Sequence, residues 1–189
     1  YKESRVAKNA IDLSRDAVAN LINSSPDEIY FTSGGSESDN WALRGLLDKS
    51  DKKHIITTKI EHQAILNTCK YLENKGYNIT YLDVDNSGFV DMDMLENSIR
   101  SDTVVISIMS ANNEVGTIQD IKTACEIAHK NGIYFHTDAV QSIGKLDIDV
   151  QDLGVDMLSI SSHKIHGLKG VGALYVKKGV NISPLIYGG

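Results

Sequence analysis

The feature that most constrains this chain is an alternation of short runs rich in β-branched residues with longer segments of helical apolar spacing. The runs are predicted as strands and the segments between them as helices. Strands are expected at 28–32, 54–58, 78–82, 103–109, 133–137, 155–161 and 171–176, and helices at 4–22, from 36 onward, at 61–74, 92–99 and 119–130. Strands joined by helical crossovers form a mostly parallel sheet that is covered on both faces. The pattern therefore predicts an α/β protein with a three-layer α/β/α architecture.

Length and composition set limits on what such a chain does. Its 189 residues are 41% hydrophobic and 23% charged, so we expect one domain spanning 1–189. The net charge is −6 and the chain carries no large basic cluster, so a nucleic-acid partner is not expected. It has no apolar run of about 18 residues, which argues against a membrane partner. The two cysteines, Cys69 and Cys125, match neither a disulfide framework nor a paired metal motif, which predicts a reducing, cytoplasmic location and no metal.

Lys164 is the first candidate for chemistry. It follows the apolar run at 155–160, within the segment Ser161, Ser162, His163 and Lys164. A partly desolvated amine at a strand end, next to a histidine, forms a Schiff base with a carbonyl cofactor more readily than a surface lysine does. The alternative is a solvated loop lysine, which is the common case, and this segment alone does not decide between the two.

Polar residues also follow the other predicted strands, where parallel sheets bind their ligands. After the first strand, Gly35 precedes Ser36 at a predicted helix start, and the free N–H groups of that start suit a phosphate. An ordinary capping box formed by Ser36 and Asp39 explains the same residues without a ligand. His62 stands at the start of the next helix, where a histidine is more often a surface or capping residue than a catalyst.

Two further strand ends carry groups that could face the same ligand. The paired Asn112 and Asn113 follow the fourth strand, and such pairs usually mark a turn. Asp138 ends the fifth apolar run and is followed by Gln141. A carboxylate that emerges from a buried strand needs a partner to offset its desolvation, and a protonated ring nitrogen would serve.

In this order, the segments resemble those of the class V aminotransferase-like enzymes that use pyridoxal phosphate, and most closely the cysteine desulfurases of the NifS and IscS type. The matching motifs are TSGGSESDN at 32–40, EHQAIL at 61–66, NNEVGTIQD at 112–120, HTDAVQSIGK at 136–145 and SSHKIHGLKGVGALY at 161–175. Five motifs in the family's order and spacing are far more specific than any one of them. The resemblance covers nearly the whole chain and implies the large domain of a fold type I pyridoxal phosphate enzyme.

The resemblance also implies roles for the cofactor's ring and aldehyde. Lys164 would form the Schiff base with the cofactor and later move protons on the substrate. Asp138 would pair with the pyridine nitrogen, which keeps the ring an effective electron sink. His62 would stack on the ring and assist proton transfer. Gln141 would hydrogen-bond the phenolic oxygen, and Asn113 would contact the cofactor or substrate.

The phosphate cradle implied by the resemblance consists of Gly35 and Ser36 together with Ser161 and His163. The family usually has Ala-Thr where this chain has Gly35 and Ser36. The change keeps a hydroxyl and removes a methyl group, so phosphate binding is expected to survive it.

The reaction implied is the conversion of L-cysteine to L-alanine, with the sulfur left as a persulfide on an enzyme cysteine. A homodimer and a sulfur-acceptor or scaffold protein, as in iron–sulfur cluster assembly, are the implied partners. The family's acceptor cysteine lies in a C-terminal small domain, so the chain is expected to be the cofactor domain of a longer enzyme. Cys69 and Cys125 fall on apolar helical stripes and are expected to be buried rather than reactive. A selenocysteine lyase or other class V lyase, and a non-catalytic cofactor-binding or scaffold module, remain the alternatives.

Overall fold

A seven-stranded sheet forms the centre of the protein in a computed structural model that describes residues 2–188, with side chains from Glu3 onward. The strand order is β1-β7-β6-β5-β4-β2-β3. The strands are β1 (Ile29–Thr32), β2 (His54–Thr58), β3 (Asn78–Leu82), β4 (Thr103–Ser107), β5 (Tyr134–Asp138), β6 (Met157–Ser161) and β7 (Gly172–Val176). Strand β7 is antiparallel to both of its neighbours, and the other strand pairs are parallel. The prediction of a mostly parallel α/β sheet is confirmed.

Helices cover both faces of this sheet. They are α1 (Lys2–Leu21), α2 (Gly35–Leu47), α3 (Gln63–Glu73), α4 (Met92–Asn97), α5 (Ile121–Lys130) and α6 (Val150–Leu153). One apolar cluster contains the buried residues of α2 and α3, and a second contains those of α1, α4, α5 and α6. Neighbouring residues of β2 divide between the clusters, since Ile55 belongs to the first and Ile56 to the second. This alternation is the period-two pattern of a strand buried on both faces, and it gives the three layers that the sequence predicts.

The last strand reverses direction because its connection is short. Residues 162–171 join β6 to β7, whereas a parallel crossover needs a dozen or more residues and usually a helix. The reversal places Gly172 beside Ser161 on one side and beside Thr32 on the other. The start of β7 therefore lies between the ends of β6 and β1.

Helix α1 differs from the apolar side that its sequence indicates. Ile22 and Ala19 are buried at its C-terminal end, but Val6 and Leu13 are 66% and 69% exposed. Only the last turns lie over the sheet, where the Arg15 guanidinium donates a hydrogen bond to the Ile29 carbonyl. Helix α1 thus carries apolar residues, Val6 and Leu13 among them, that the described part of the chain does not cover.

No helix within residues 2–188 combines the length and apolar character that a membrane span requires.

Candidate active site

A cavity of about 230 Å³ opens where β1, β2, β4, β5 and β6 end. Every site residue that the sequence singles out lies in its lining. These residues are Gly35, Ser36, His62, Asn113, Asp138, Gln141, Ser161, His163 and Lys164. They come from five separate segments of the chain, so the fold alone brings them together.

One end of the cavity is built from the turn between β1 and α2. Gly34 is the N-cap of α2 and has φ +153°, a conformation that a side chain disfavours. The helix therefore begins at Gly35, and Ser36 is its second residue rather than its cap. The capping box of Ser36 with Asp39 is wrong for this reason. The free N–H groups of the first turn and the positive end of the 13-residue helix are features that suit an anion.

The opposite wall of this end comes from β6 and the turn that follows it. Ser161 ends β6, and its hydroxyl lies 2.7 Å from Nδ1 of His163. Gly172 allows the turn after β1 and the end of β6, the two halves of this end of the cavity, to approach each other. A Cβ at Gly172 would lie 2.6 Å from Cα of Gly34 and 2.6 Å from the Ile160 carbonyl oxygen. Serine, histidine and helix N–H donors around one end of a cavity suit a phosphate.

Gly35 is small because Val140 occupies the adjoining space. A Cβ added at Gly35 would lie 2.7 Å from Cγ2 of Val140, closer than packed carbon atoms come. Val140 itself lines the cavity. The missing methyl group at position 35 and the branched side chain at 140 therefore compensate for one another in volume.

Lys164 lies in the single 3₁₀ turn Ser162–Ile165 that follows β6 directly. It is half-buried and lines the cavity together with Asp138 and His62. The turn ends at His166, which has the left-handed φ of +63°, and the Gly167 N–H donates to the Ser162 carbonyl at 2.8 Å. The lysine is thus held against the ligand cavity and is not part of a freely solvated loop.

His62 both caps a helix and lines the cavity. It is the N-cap of α3, and its Nδ1 accepts a hydrogen bond from the Ala64 N–H at 3.1 Å. A neutral ring with Nδ1 as acceptor carries its proton on Nε2. The capping role expected of a histidine at this position is therefore real, and it fixes the ring next to the cavity.

Asp138 is the last residue of β5 and is 5% exposed. Its Oδ1 accepts a hydrogen bond from the Val140 N–H at 2.9 Å. Burial raises the pKa of Asp138 above the usual range of a carboxyl, and the hydrogen bond and nearby His62 act against that increase. The half-buried Gln141 follows in the same turn and completes this side of the cavity.

Asn113 owes its position to its neighbour Asn112. The buried Asn112 donates to the Ile60 carbonyl at 2.9 Å and accepts from the N–H groups of Glu114 and Val115 at 2.9 Å each. The turn expected of paired asparagines is present, and it directs the exposed Asn113 to the cavity. Asn112 organises the loop, and Asn113 is available for a ligand.

Glu61 links the end of β2 to the segment that follows β4, next to the site. It is 4% exposed, accepts the Met109 N–H at 3.0 Å and accepts the Thr58 hydroxyl at 2.7 Å. Burial raises the pKa of Glu61 to about 8 in spite of these hydrogen bonds. A carboxyl with this pKa is largely protonated at neutral pH.

Three further residues line the cavity that the sequence did not indicate: Asp39, Met109 and Val140. Asp39 could have been found from spacing alone, because it follows Gly35 by four residues on the same helix face. Met109 and Val140 carry no such signal, since apolar residues at strand ends are common.

The cysteines are buried as the sequence predicts. Cys69 is 0% and Cys125 is 1% exposed, and both belong to the apolar core. Burial raises the pKa of each thiol to about 12. Neither thiol is suited to nucleophilic chemistry.

Together, the sheet and the cavity at its carboxyl edge define an α/β protein of the fold type I class, with hydrogen-bond donors, a buried carboxyl group and a lysine gathered in one cavity. The family model for aminotransferase class-V matches residues 1–189, and the chain belongs to this family. Among curated relatives, it is 53% identical to a cysteine desulfurase IscS of Clostridium botulinum, strain Kyoto, over 100% of this chain and 48% of the relative. It is 54% identical to a cysteine desulfurase IscS of Methanosarcina thermophila over 100% of this chain and 47% of that protein.

Solved structures give the same result. The structure described as SspA in complex with cysteine matches with a TM-score of 0.97 and 46% identity, over 100% of this chain and 56% of the other. A NifS-like protein matches with a TM-score of 0.95 and 45% identity, over 98% of this chain and 52% of the other. The chain thus spans about half the length of the curated relatives it matches.

Proposed function

We propose that this chain is the cofactor-binding part of a pyridoxal phosphate-dependent cysteine desulfurase. One observation carries the proposal: nine residues from five motifs, identified by their resemblance to this family, line one cavity. Membership of the class V aminotransferase family and the IscS-type relatives support it.

The cavity fits the phosphate end of the cofactor. Backbone N–H groups at the start of α2, the Ser161 hydroxyl and His163 would hold the phosphate oxygens. Gly172 lets two backbone segments approach each other there, because a Cβ at this position would lie 2.6 Å from Cα of Gly34. The donors are of the kind that a phosphate requires.

The other end of the cavity fits the ring. Asp138 would accept a hydrogen bond from the pyridinium nitrogen, whose positive charge offsets the desolvation of the buried carboxylate. His62, fixed by its capping hydrogen bond, would lie against the ring, and Gln141 and Asn113 would donate to its oxygen and to the substrate.

Pyridoxal phosphate supplies an electron sink for charge that develops at the α-carbon of an amino acid. Lys164 would bind the cofactor's aldehyde carbon and, once released by the substrate, hold and move a proton at the α-carbon from its half-buried position. Asp138 would keep the ring nitrogen protonated during that transfer.

The proposed substrate is L-cysteine, with alanine and an enzyme persulfide as products. Support comes from the relatives named cysteine desulfurase and from the SspA structure, which was determined with cysteine. Because Cys69 and Cys125 are buried thiols with a pKa of about 12, the sulfur would pass to a cysteine outside these 189 residues.

We also propose a cytoplasmic homodimer that delivers sulfur to an acceptor protein. Leu168, Ile186 and Tyr187 are 79%, 80% and 80% exposed, which is apolar surface of the kind a second subunit covers. Light scattering of the purified protein would measure the mass, and a monomer at all concentrations would contradict the homodimer.

The cofactor assignment is tested by adding pyridoxal phosphate to the purified chain. We expect a visible absorbance band, and borohydride reduction followed by mass spectrometry should find the cofactor on Lys164. Lys164→Ala should abolish the covalent adduct, whereas Lys169→Ala, an exposed lysine of the same loop, should not. A wild-type chain without the band, or an unchanged band in Lys164→Ala, would reject the assignment.

The substrate is tested on the loaded chain. L-cysteine should perturb the absorbance band, and D-cysteine should not. If neither isomer perturbs it, a cofactor-binding module without turnover would replace the desulfurase.

A further inference from the structure

Asp39 is a buried carboxyl group in the cavity wall with no role in the proposed function so far. It is 1% exposed, and its Oδ1 finds no hydrogen-bond partner within residues 2–188. Burying such an oxygen without a partner costs stability. A residue kept in that state at the edge of a ligand cavity calls for a functional explanation.

The nearest acidic neighbour of Asp39 in the cavity is Asp138. Carboxylate oxygens of these two residues and a ring nitrogen of His62 all lie within 4.8 Å of one another. Two carboxylates so close in a buried site do not both stay ionised, because each charge disfavours the other. One of the pair therefore holds a proton.

Hydrogen bonds decide which of the two is ionised. Asp138 accepts a backbone N–H from Val140 at 2.9 Å, a donor that stabilises an anion. Among the described residues, the Ser159 hydroxyl is the donor to Asp39, and the same hydroxyl also hydrogen-bonds the ring of His136. Because the hydrogen-bond donor at Asp138 stabilises an anion better than the shared hydroxyl at Asp39 does, the charge lies on Asp138 and the proton on Asp39.

The other titratable groups around Asp39 do not reverse this assignment. His136 of β5 has Nε2 at 3.7 Å from Oδ1 of Asp39, but burial lowers the pKa of His136 to about 3, so the ring is neutral. Glu61, which follows β2, adds to the cost of a charge on Asp39 when it is ionised and has no such effect when it is protonated. Burial and the charge of Asp138 together raise the pKa of Asp39 well above the usual range.

We propose that Asp39 is a positioning residue. As a neutral, polar acid beside Asp138, it leaves the single negative charge of the pair on Asp138, where the cofactor's ring nitrogen would meet it. The inference rests on the proposed function, since it needs the ring nitrogen at Asp138. Asp39 acts through Asp138 and does not touch the reacting atoms.

Two substitutions separate this role from simple packing. Asp39→Asn keeps a neutral polar group of the same shape, and Asp39→Leu keeps the approximate size without any polar atom. Asp48→Asn, at the exposed C-cap of the same helix, is the matched control. The dissociation constant for pyridoxal phosphate is measured by absorbance, and the stability of the cofactor-free chain by urea unfolding.

For Asp39→Leu we expect an approximately tenfold weaker dissociation constant, about 1.4 kcal/mol, together with a higher urea midpoint because an unpaired buried oxygen is removed. For Asp39→Asn and Asp48→Asn we expect affinity within about twofold of the wild type. A packing role would move stability and affinity in the same direction, so opposite shifts in the leucine variant support the proposal.

Two outcomes overturn the inference when both variants fold, and the asparagine variant alone decides when the leucine variant does not. If asparagine weakens binding about as much as leucine, position 39 must carry a charge. If a folded leucine variant binds as the wild type does, Asp39 has no effect on the cofactor. If the leucine variant does not fold, the asparagine variant decides alone, and a tenfold loss there rejects a neutral Asp39.

The proposed function fails separately. If the wild-type chain binds no pyridoxal phosphate, both proposals are rejected. If the wild-type chain and the leucine variant bind pyridoxal phosphate equally well, only the role of Asp39 is rejected.

Discussion

The hydroxyl of Ser161 lies 2.7 Å from Nδ1 of His163, across the first residue of the turn that carries Lys164. This hydrogen bond holds two side chains of the proposed phosphate cradle in one arrangement. Preorganised donors bind an anion more tightly because their ordering cost is already met.

Ser161→Ala should therefore weaken binding of pyridoxal phosphate by about tenfold, since it removes one donor and frees the His163 ring. Ser33→Ala removes an exposed hydroxyl from the opposite turn, outside the cavity lining, and should leave the affinity unchanged. Equilibrium titration followed by absorbance measures both. Equal affinities for wild type and Ser161→Ala would remove Ser161 from the cradle.

The compensation between Gly35 and Val140 gives a second prediction. Gly35→Ala should destabilise the fold by about 1–3 kcal/mol, because the new methyl group would overlap a Val140 methyl at 2.7 Å. Adding Val140→Ala should recover most of that loss. A double-mutant cycle from urea unfolding gives the coupling energy. If the two changes are additive, the side chains do not compete for the same space.

Glu61 gives a prediction about pH. Its pKa is raised from 4.5 in the unfolded chain to about 8 in the folded protein, so the folded state holds a proton that the unfolded state releases between these values. Stability from this group is therefore full below pH 4.5 and falls as pH rises toward 8, by up to about 1.4 kcal/mol per pH unit.

Glu61→Gln should remove this loss. Between pH 5 and pH 8, the stability of the variant should improve relative to wild type by on the order of 2–4 kcal/mol. Urea unfolding across this range measures the difference, with the exposed Glu126→Gln as control. A constant difference at all pH values would mean that Glu61 is ionised in the folded protein.

Much of this fold could be predicted because its strands are short, β-branched and separated by helices. The direction of β7 was also within reach, since residues 162–171 are too few for a parallel crossover. The strand order was not, because it depends on which faces pack together over the whole chain. Likewise, the exposed face of α1 could not be read from its apolar spacing, which is the same whether or not a neighbour covers it.

The site was more predictable than its supporting groups. Residues that follow strand ends share an edge of a parallel sheet, so the positions of His62, Asp138 and Lys164 follow from topology. Val140 meets Gly35 at a distance of a few ångströms, although the two residues lie far apart in the sequence. Such contacts leave no pattern in a single sequence.

The position of β7 has a consequence for the order in which the protein is made. Gly172 pairs with Thr32 on one side and with Ser161 on the other, so a strand that is synthesised after both β1 and β6 joins the two halves of the cradle. A nascent chain that ends before this strand has both halves but nothing between them. Capture of the cofactor would therefore require β7, and it would report that β1 and β6 have been joined.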